Sequence, residues 1–360
     1  DIGYSGDRYD KSNFYPNTRK DYLDYKNMQH SLRALYTHTF DQELALTAGG
    51  DAMTDYLKSY QFADNGSHDQ YTADLFAQAD WSINKHWNVV AGLRADYFSR
   101  YGWELSPKIA AMYRIENLKL RSSYSKGFRV PTLKEMYMDF NMANIFNIYG
   151  NDQLESEKTN SFSLSAEYVK KYYCLTLTGF YNILDNEIST IWNPTLSNGR
   201  GAMVYRNVEG TNLASVDATV MARWPCGISA KLSYSYFHEF TRHDTPNTAD
   251  SRPHTLTAQT SYQKSWKDYQ MNVILNGRYL SKADFYTVAS SGNGAYDTYA
   301  PSSSPAYTMW KLTVLQKFWN RLTVTASIDN LFGYKPKKYE YNSPYTVGRT
   351  FYIGAALEIE

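Results

Sequence analysis

From Ile228 to Tyr236 the chain alternates strictly. Ile228, Ala230, Leu232, Tyr234 and Tyr236 are separated by Ser229, Lys231, Ser233 and Ser235. A period of two places the two sets on opposite faces of a strand. The pattern recurs. Trp87, Val89, Ala91, Leu93, Ala95 and Tyr97 oppose Asn88, Gly92, Arg94 and Asp96, with Val90 the exception. Phe162, Leu164, Ala166 and Tyr168 oppose Ser161, Ser163, Ser165 and Glu167. Leu322, Val324, Ala326 and Ile328 oppose Thr323, Thr325 and Ser327. Read throughout, the alternation predicts fifteen strands, over residues 29–38, 42–54, 70–82, 86–96, 106–114, 117–126, 158–168, 171–184, 213–223, 227–238, 253–263, 268–281, 306–317, 321–333 and 347–359. The fold class is all-β.

The connections set the topology. Turns at residues 39–41, 83–85, 115–116, 169–170, 224–226, 264–266 and 318–320 are short. The alternate connections, 55–69, 97–105, 127–157, 185–212, 239–252, 282–305 and 334–346, are long. An antiparallel meander places all short turns at one end and all long loops at the other. Outer-membrane barrels have this asymmetry, with short periplasmic turns and longer extracellular loops. The architecture expected is an antiparallel transmembrane β-barrel. A soluble half-buried sheet would alternate too, but the one-sided loops favour the barrel.

Tryptophan agrees. Trp81, Trp87, Trp224, Trp266 and Trp319 lie in or beside the short turns, five of eight. That is the placement of an aromatic girdle, and Trp310 would mark the opposite rim. The 34 tyrosines suit a membrane interface, each with an apolar ring and a wet hydroxyl. No apolar run reaches the roughly 18 residues of a spanning helix. A charge on the lipid side costs about 2–4 kcal/mol at the midplane, so Arg94, Asp96 and Lys231 are expected to face the lumen.

The remaining composition mainly excludes. With 37 basic and 36 acidic residues the net charge is +1, which gives no general attraction for nucleic acid. The two cysteines, Cys174 and Cys226, both fall near short turns, and pairing and free thiols are both open. The first residues, from Asp1, have neither the basic nor the apolar region of a signal peptide. Residues 1–28, rich in Asp, Asn, Tyr and Lys, read as an extracellular loop. A single-chain bacterial barrel closes on an even strand number, so fifteen predicts that further strands lie outside residues 1–360.

Three motifs carry a family resemblance. Ser327 to Tyr334, with Asn330-Leu331-Phe332, followed by Val347-Gly348-Arg349, resembles the C-terminal signature of TonB-dependent outer-membrane receptors. The segment Gly127-Phe128-Arg129-Val130-Pro131 is similar to the family's Phe-Arg-Ala-Pro box, with Val130 in place of Ala. The segment from Gly150 and Asn151 through Leu154 to Lys158 is similar to its Asn-Pro-Asn-Leu box, with Asp152-Gln153 departing from it. Glu360 departs from the terminal aromatic common in outer-membrane proteins. Without the family, Gly127 and Pro131 are expected to bend the chain where a strand leaves the membrane. Gly150-Asn151 are expected to supply positive-φ positions for its return, and Gly348 a tight start to the last strand. Loop architecture is the favoured role of these boxes, ahead of ligand contact.

The resemblance implies a 22-stranded barrel whose lumen holds an N-terminal plug, with about 15 strands in this chain and the plug and first strands outside it. It implies an active-transport receptor in the bacterial outer membrane that binds a scarce nutrient. Haem, a ferric siderophore and cobalamin are all open as ligand. Energy would come from the TonB complex acting through the plug. The implied partners are outer-membrane lipid, TonB and, as a further class, a surface-exposed lipoprotein. No cofactor and no resident metal are expected. A passive porin or adhesin-type barrel is the alternative. No Ser/His/Asp order or rim carboxylate pair stands out, so no enzyme is expected.

For the ligand, residues 132–149 concentrate Tyr137, Met138, Phe140, Met142, Phe146 and Tyr149. Such a Met and aromatic cluster could grip a flat or greasy molecule, and equally could pack on itself. This segment has no His, although haem receptors of the family carry one between the two boxes. His68 and His243 fall in other long loops and are weaker candidates for iron ligation. Asp7, Asp10 and Asn13 are a still weaker Ca²⁺ candidate, without an EF-hand loop.

Overall fold

The computed structural model describes all residues except 18–19, 42, 64–65, 143–145, 200, 243–250, 291–295, 337–345 and 360. Its main body is one sheet of sixteen strands among the described residues. Each strand is antiparallel to its neighbours, and the order follows the chain from Ile2–Tyr15 to Thr350–Leu357. All fifteen strands expected from alternation are present. Tight turns set the register of the pairs they join, and in every pair the register keeps the apolar residues on one side.

The two faces differ as the alternation requires. Leu75, Leu93 and Leu164 are 68%, 51% and 64% exposed, with Ile109, Leu177 and Leu232 on the same side. Large apolar side chains that face outward over an entire sheet need an apolar surrounding. The opposite face is polar and ion-paired. Arg33, Asp51, Asp74 and Asp96 stand in register across successive strands, with Arg94 beside them. Arg94 reaches Asp74 and Asp96 at 2.8 Å, and Arg33 reaches Asp51 at 2.6 Å. Arg94 and Asp96 therefore lie where the sequence places them, opposite Leu93 and Ala95. Lys231 likewise lies opposite Leu232.

The short turns are tight because several residues accept a left-handed backbone. Asp41, Glu116, Lys267, Trp319 and Asn320 have φ between 43° and 56°, and Gly227 reaches 93°. Trp81, Trp87, Trp266 and Trp319 are exposed at this rim, and Trp224 meets Tyr173 edge-on at 6.2 Å. Trp310 lies near the other rim, against Gly277, where a Cβ would come within 2.4 Å of the indole.

Four expectations change. Residues 1–28 are not a loop: Ile2–Tyr15 pairs with Lys20–Phe40, through a register shift at Lys11/Ser12. This gives sixteen strands, an even number, so the parity argument for missing strands falls. Lys20–Phe40 has 21 residues, about twice the 9–11 that span a bilayer. A hairpin that extends so far into water is wet on both faces, and its sequence need not alternate. Residues 97–105 are not a long loop, because only Ser99 to Tyr101 separate Trp87–Phe98 from Gly102–Ile115. The loop expected at 55–69 shrinks to 60–66, between Leu44–Ser59 and Ser67–Ser82. Within 282–305, Ala283–Ser290 and Tyr296–Ser304 form a hairpin. Among the described residues, Ile2–Tyr15 and Thr350–Leu357 are the two edges of the sheet.

A buried apolar cluster lies at the long-loop end. Leu57, Phe62, Leu133 and Met136 form it, with Tyr25, Tyr101 and Tyr137 packed against it. A second sheet of four strands, Glu187–Asn193, Ala202–Val208, Phe146–Tyr149 and Asp139–Met142, is built from the loops 130–156 and 186–210.

Candidate functional site

The loop that follows Leu118–Arg129 is anchored by charge. Arg129 and Glu157 are directly opposed in the ladder. The Arg129 guanidinium donates from Nε and Nη2 to the two Glu157 oxygens at 2.7 and 2.8 Å, and from Nη1 to Glu135 at 2.9 and 3.0 Å. A bidentate fork of this kind fixes geometry as well as charge. The hydrogen bonds to Glu157, with those to Glu135, raise the Arg129 pKa further above its ordinary value. Glu157 Oε1 also accepts the backbone N–H of Ile188 at 2.7 Å, which ties the second large loop to the first.

Arg129 ends its strand and Pro131 follows, fully buried. Thr132 then caps the short helix Leu133–Tyr137. Its hydroxyl accepts from the Glu135 N–H at 3.2 Å, while the Glu135 carboxylate accepts from the Thr132 N–H at 2.7 Å. This reciprocal box satisfies two otherwise orphaned donors. The helix turns Leu133 and Met136 down into the cluster with Leu57 and Phe62, which is 2% exposed. Tyr101 donates to the Met136 sulfur at 3.1 Å. Burial raises the pKa of the Tyr101 phenol.

Tyr137 is left at the upper edge of this cluster. Its ring stacks on His68 with centroids 3.5 Å apart and planes 3° from parallel. Phe62 meets His68 at 5.3 Å and Tyr137 at 6.2 Å, both edge-on. The Arg100 guanidinium lies 5.5 Å from the Tyr137 ring centre, donates to its hydroxyl, and donates to the Asp152 carbonyl at 3.0 Å. The result is a flat aromatic and cationic platform drawn from the start of one strand, a tight turn and a long loop. It suits a planar or anionic group.

The loop sheet separates the other aromatic candidates by face. Phe140 opposes Ile148 and Met142 opposes Phe146, which gives one apolar side. Tyr60 meets Phe140 edge-on at 6.3 Å, and Trp192 meets Phe146 at 6.0 Å. Asn141, Asn147 and Tyr149 occupy the polar side. Asn147 accepts from Asn141 at 2.9 Å and donates to the Tyr149 hydroxyl at 2.8 Å. Parallel pairing of Asn147 to Tyr149 with Ala202 to Val204 joins the two loops. The backbone of Met138 pairs with that of Phe62 in an isolated antiparallel bridge, which ties this loop to the segment after Leu44–Ser59.

The residues of the sequence boxes are engaged in packing and backbone hydrogen bonds. Gly127 sits in an unbroken ladder opposite Thr159 and makes no bend. Gly150 does not have positive φ. It is needed for close approach, since a Cβ there would lie 2.6 Å from the Met136 carbonyl and the Met138 nitrogen. Asn151 donates its N–H to the Glu135 carbonyl at 3.0 Å, and Leu154 is buried. Phe128 meets Phe98 edge-on at 5.5 Å. Asn330, at φ 51°, accepts from the Tyr334 N–H at 2.8 Å and donates to its carbonyl at 2.7 Å. Leu331 donates its N–H to the Trp310 carbonyl. Phe332 is exposed near Trp310, with centroids 6.2 Å apart. Gly348 has φ 97°, as expected, and the Arg349 guanidinium lies close to Gly333.

Of the predicted ligand residues, Tyr137 and His68 come together. Phe140, Met142 and Phe146 form a second group, and Tyr149 is taken up in hydrogen bonds. His243 lies outside the described residues. Arg100 and Trp192 were not foreseen, and no local signal marks either. Cys174 and Cys226 are free thiols. Asp10 pairs with Arg8, and Asn13 donates to Asp24 at 2.6 Å. No cluster of metal-ligating side chains occurs among the described residues.

An antiparallel meander with an apolar outer face, an ion-paired inner face and elaborated loops at one end defines an outer-membrane barrel wall. The family model described as TonB dependent receptor-like, beta-barrel matches residues 1–331. The chain belongs to this family. Its fold is similar to the ferric enterobactin receptor PfeA of Pseudomonas aeruginosa, solved in complex with enterobactin, at 17% identity and TM-score 0.77. That match covers 99% of this chain and 59% of PfeA. The siderophore receptor PirA of Acinetobacter baumannii is similar at 16% identity and TM-score 0.72, over 99% of this chain and 59% of PirA. The FrpB iron transporter of Neisseria meningitidis is similar at 15% identity and TM-score 0.69, over 92% and 55%. The chain thus spans under two thirds of the length of these proteins.

Proposed function

We propose that this chain forms most of the barrel wall and the outer loops of an outer-membrane receptor that imports a scarce nutrient into the periplasm. A plug in the lumen and the TonB complex would supply gating and energy. The preferred ligand is a ferric siderophore, with haem and cobalamin as further candidates. The observation that carries the choice is the platform of His68, Tyr137 and Arg100. Two parallel rings with a guanidinium alongside favour a ligand that is aromatic, flat and negatively charged. Each catechol ring of a ferric catecholate is flat and aromatic, and the octahedral complex as a whole is negatively charged. Similarity to PfeA and PirA supports the class of ligand, while the low identity leaves the individual compound open. The wall and the boxes suit a receptor better than a passive porin, because the loops are pinned to each other by Arg129 and Glu157.

Binding tests this reading. The full gene product in detergent is titrated with a ferric catecholate, haem and cyanocobalamin while tryptophan fluorescence is followed. Saturable quenching by the catecholate at micromolar concentration or below is expected. Saturation by none of the three sinks the proposal.

A further inference from the structure

We propose that the outward face of the wall holds one lipid with a phosphate headgroup, its acyl chain in a groove over Gly179 and its phosphate on Lys126. The groove has a volume of about 700 Å³ and crosses five strands, from Gly102–Ile115 to Thr211–Arg223. At about 4.8 Å per strand its floor is roughly 19 Å long, the reach of an extended acyl chain. No charged residue lines it. Small residues open the groove: Ser122 lies between Ala111 and Leu164 in the ladder, and Gly179 between Leu164 and Val216. Two residues nearer the long-loop end, Tyr124, Phe162 and Tyr181 form the next outward row. The rings of Tyr124 and Phe162 are 5.0 Å apart.

Gly179 is left uncovered. Elsewhere on this face a neighbouring side chain fills the space above a glycine. Trp310 covers Gly277, where a Cβ would come within 2.4 Å of it, and Leu75 covers Gly50 at 3.0 Å. At Gly179 the nearest atom is the Ser215 carbonyl oxygen at 3.8 Å, and no side chain lies within 4 Å. An apolar recess that the protein does not fill itself gains dispersion contacts from an acyl chain laid into it.

The row above sets the headgroup. Lys126 is directly opposite Asn160, and the Tyr124 hydroxyl donates to Asn160 Oδ1 at 2.9 Å. Lys126 has the parity of Tyr124, so it leaves the wall on the side of the groove. The nearby Lys158 and Arg242 have carboxylate partners, Glu104 at 3.8 Å and Asp185 at 2.7 Å. Among the described residues Lys126 has none. A lysine at the upper end of an apolar groove matches a phosphate joined to an acyl chain. Free phosphate would leave the groove empty, and a neutral lipid would leave Lys126 without an anion. The inference rests on which face meets the membrane, whatever ligand is imported.

Native mass spectrometry of the full gene product, extracted from outer membranes in mild detergent, tests it. One phosphate-bearing acyl lipid per chain should remain bound. Gly179→Leu fills the groove with its own side chain and should lower the retained fraction roughly tenfold. Lys126→Gln should lower it about threefold, the effect of one exposed ion pair. Ala77→Leu, in the separate outward groove beside Gly50, should change nothing. After delipidation, phosphatidic acid should rebind, and diacylglycerol with the same chains should not. If Gly179→Leu fails to assemble, Lys126→Gln and the two lipids still decide. No retained lipid, a polypeptide or a lipid without phosphate in its place, retention indifferent to both variants, or equal binding of the two lipids would overturn the proposal. Uptake of the imported ligand is not read, so failure here is distinct from failure of the import function.

Discussion

The Arg129 guanidinium holds the Glu157 carboxylate across an antiparallel pair with hydrogen bonds of 2.7 and 2.8 Å, and Glu157 passes the constraint on to the Ile188 N–H. Two large loops are thereby tied to one strand end. Arg129→Ala leaves two acceptors without their donor. About 1–3 kcal/mol of local stability should be lost, towards the low end because Arg129 is half exposed. Arg129→Lys keeps the charge but not the fork, and should recover only part of this. Hydrogen exchange read at residues 130–137 and 187–193 checks it: protection should fall in both segments together, while the sheet stays protected.

Gly150 is a packing requirement. A methyl group there would press on the Met136 carbonyl and the Met138 nitrogen, both backbone and both unable to swing aside. Gly150→Ala should destabilise the loop by roughly 1–3 kcal/mol. Faster proteolysis between residues 132 and 150, with unchanged barrel assembly, is the expected readout. Wild-type resistance would show that the close approach is not kept in solution.

The two faces predict a position-dependent tolerance of charge. Lys at Leu93, Leu232 or Ala326 should cost about 2–4 kcal/mol at the membrane midplane and reduce assembly. Lys at Ser233 or Thr325, on the inner face, should be accepted. Quantifying each variant in outer-membrane fractions distinguishes them, and equal amounts of both sets would refute the assignment of the faces.

The platform at His68 and Tyr137 predicts a graded loss of ligand. Tyr137→Ala should weaken binding by about 1–2 kcal/mol, or roughly 5–30-fold, through the lost stack. Arg100→Ala should cost somewhat less, about 0.5–1 kcal/mol, or roughly 2–5-fold. Tyr149→Phe, which disturbs only the loop sheet's polar side, should leave affinity nearly unchanged. Fluorescence titration measures all three.

The barrel wall was legible because water and lipid impose opposite demands on adjacent residues. Leu93 and Arg94 cannot exchange places, and that constraint is written at every second position. The hairpin of Ile2–Tyr15 with Lys20–Phe40 was not legible. Only its part over 29–38 alternates; beyond Tyr4 and before residue 29 the ladder has no continuous apolar side, and the composition is that of a loop. The parallel contact of residues 147–149 with 202–204 was equally hidden, since it joins segments more than fifty positions apart and follows no period. His68 and Tyr137 each stood out as residue types, but only the fold stacks them. Arg100 sits in a turn mistaken for a long loop, and nothing in its neighbours distinguishes it. The boxes around Phe128, Asn151 and Asn330 identified the family although they act through packing and hydrogen bonds, because close approach and capping constrain sequence as tightly as a ligand does.

Uptake of radioactive iron by whole cells, supplied as a ferric catecholate, tests the central claim most directly. Cells with the gene should accumulate the label, and accumulation should stop on addition of a protonophore. Cells lacking it should take up little, and Tyr137→Ala should fall between. Equal uptake with and without the gene, or uptake that continues after the proton gradient collapses, would contradict the account of an energised receptor.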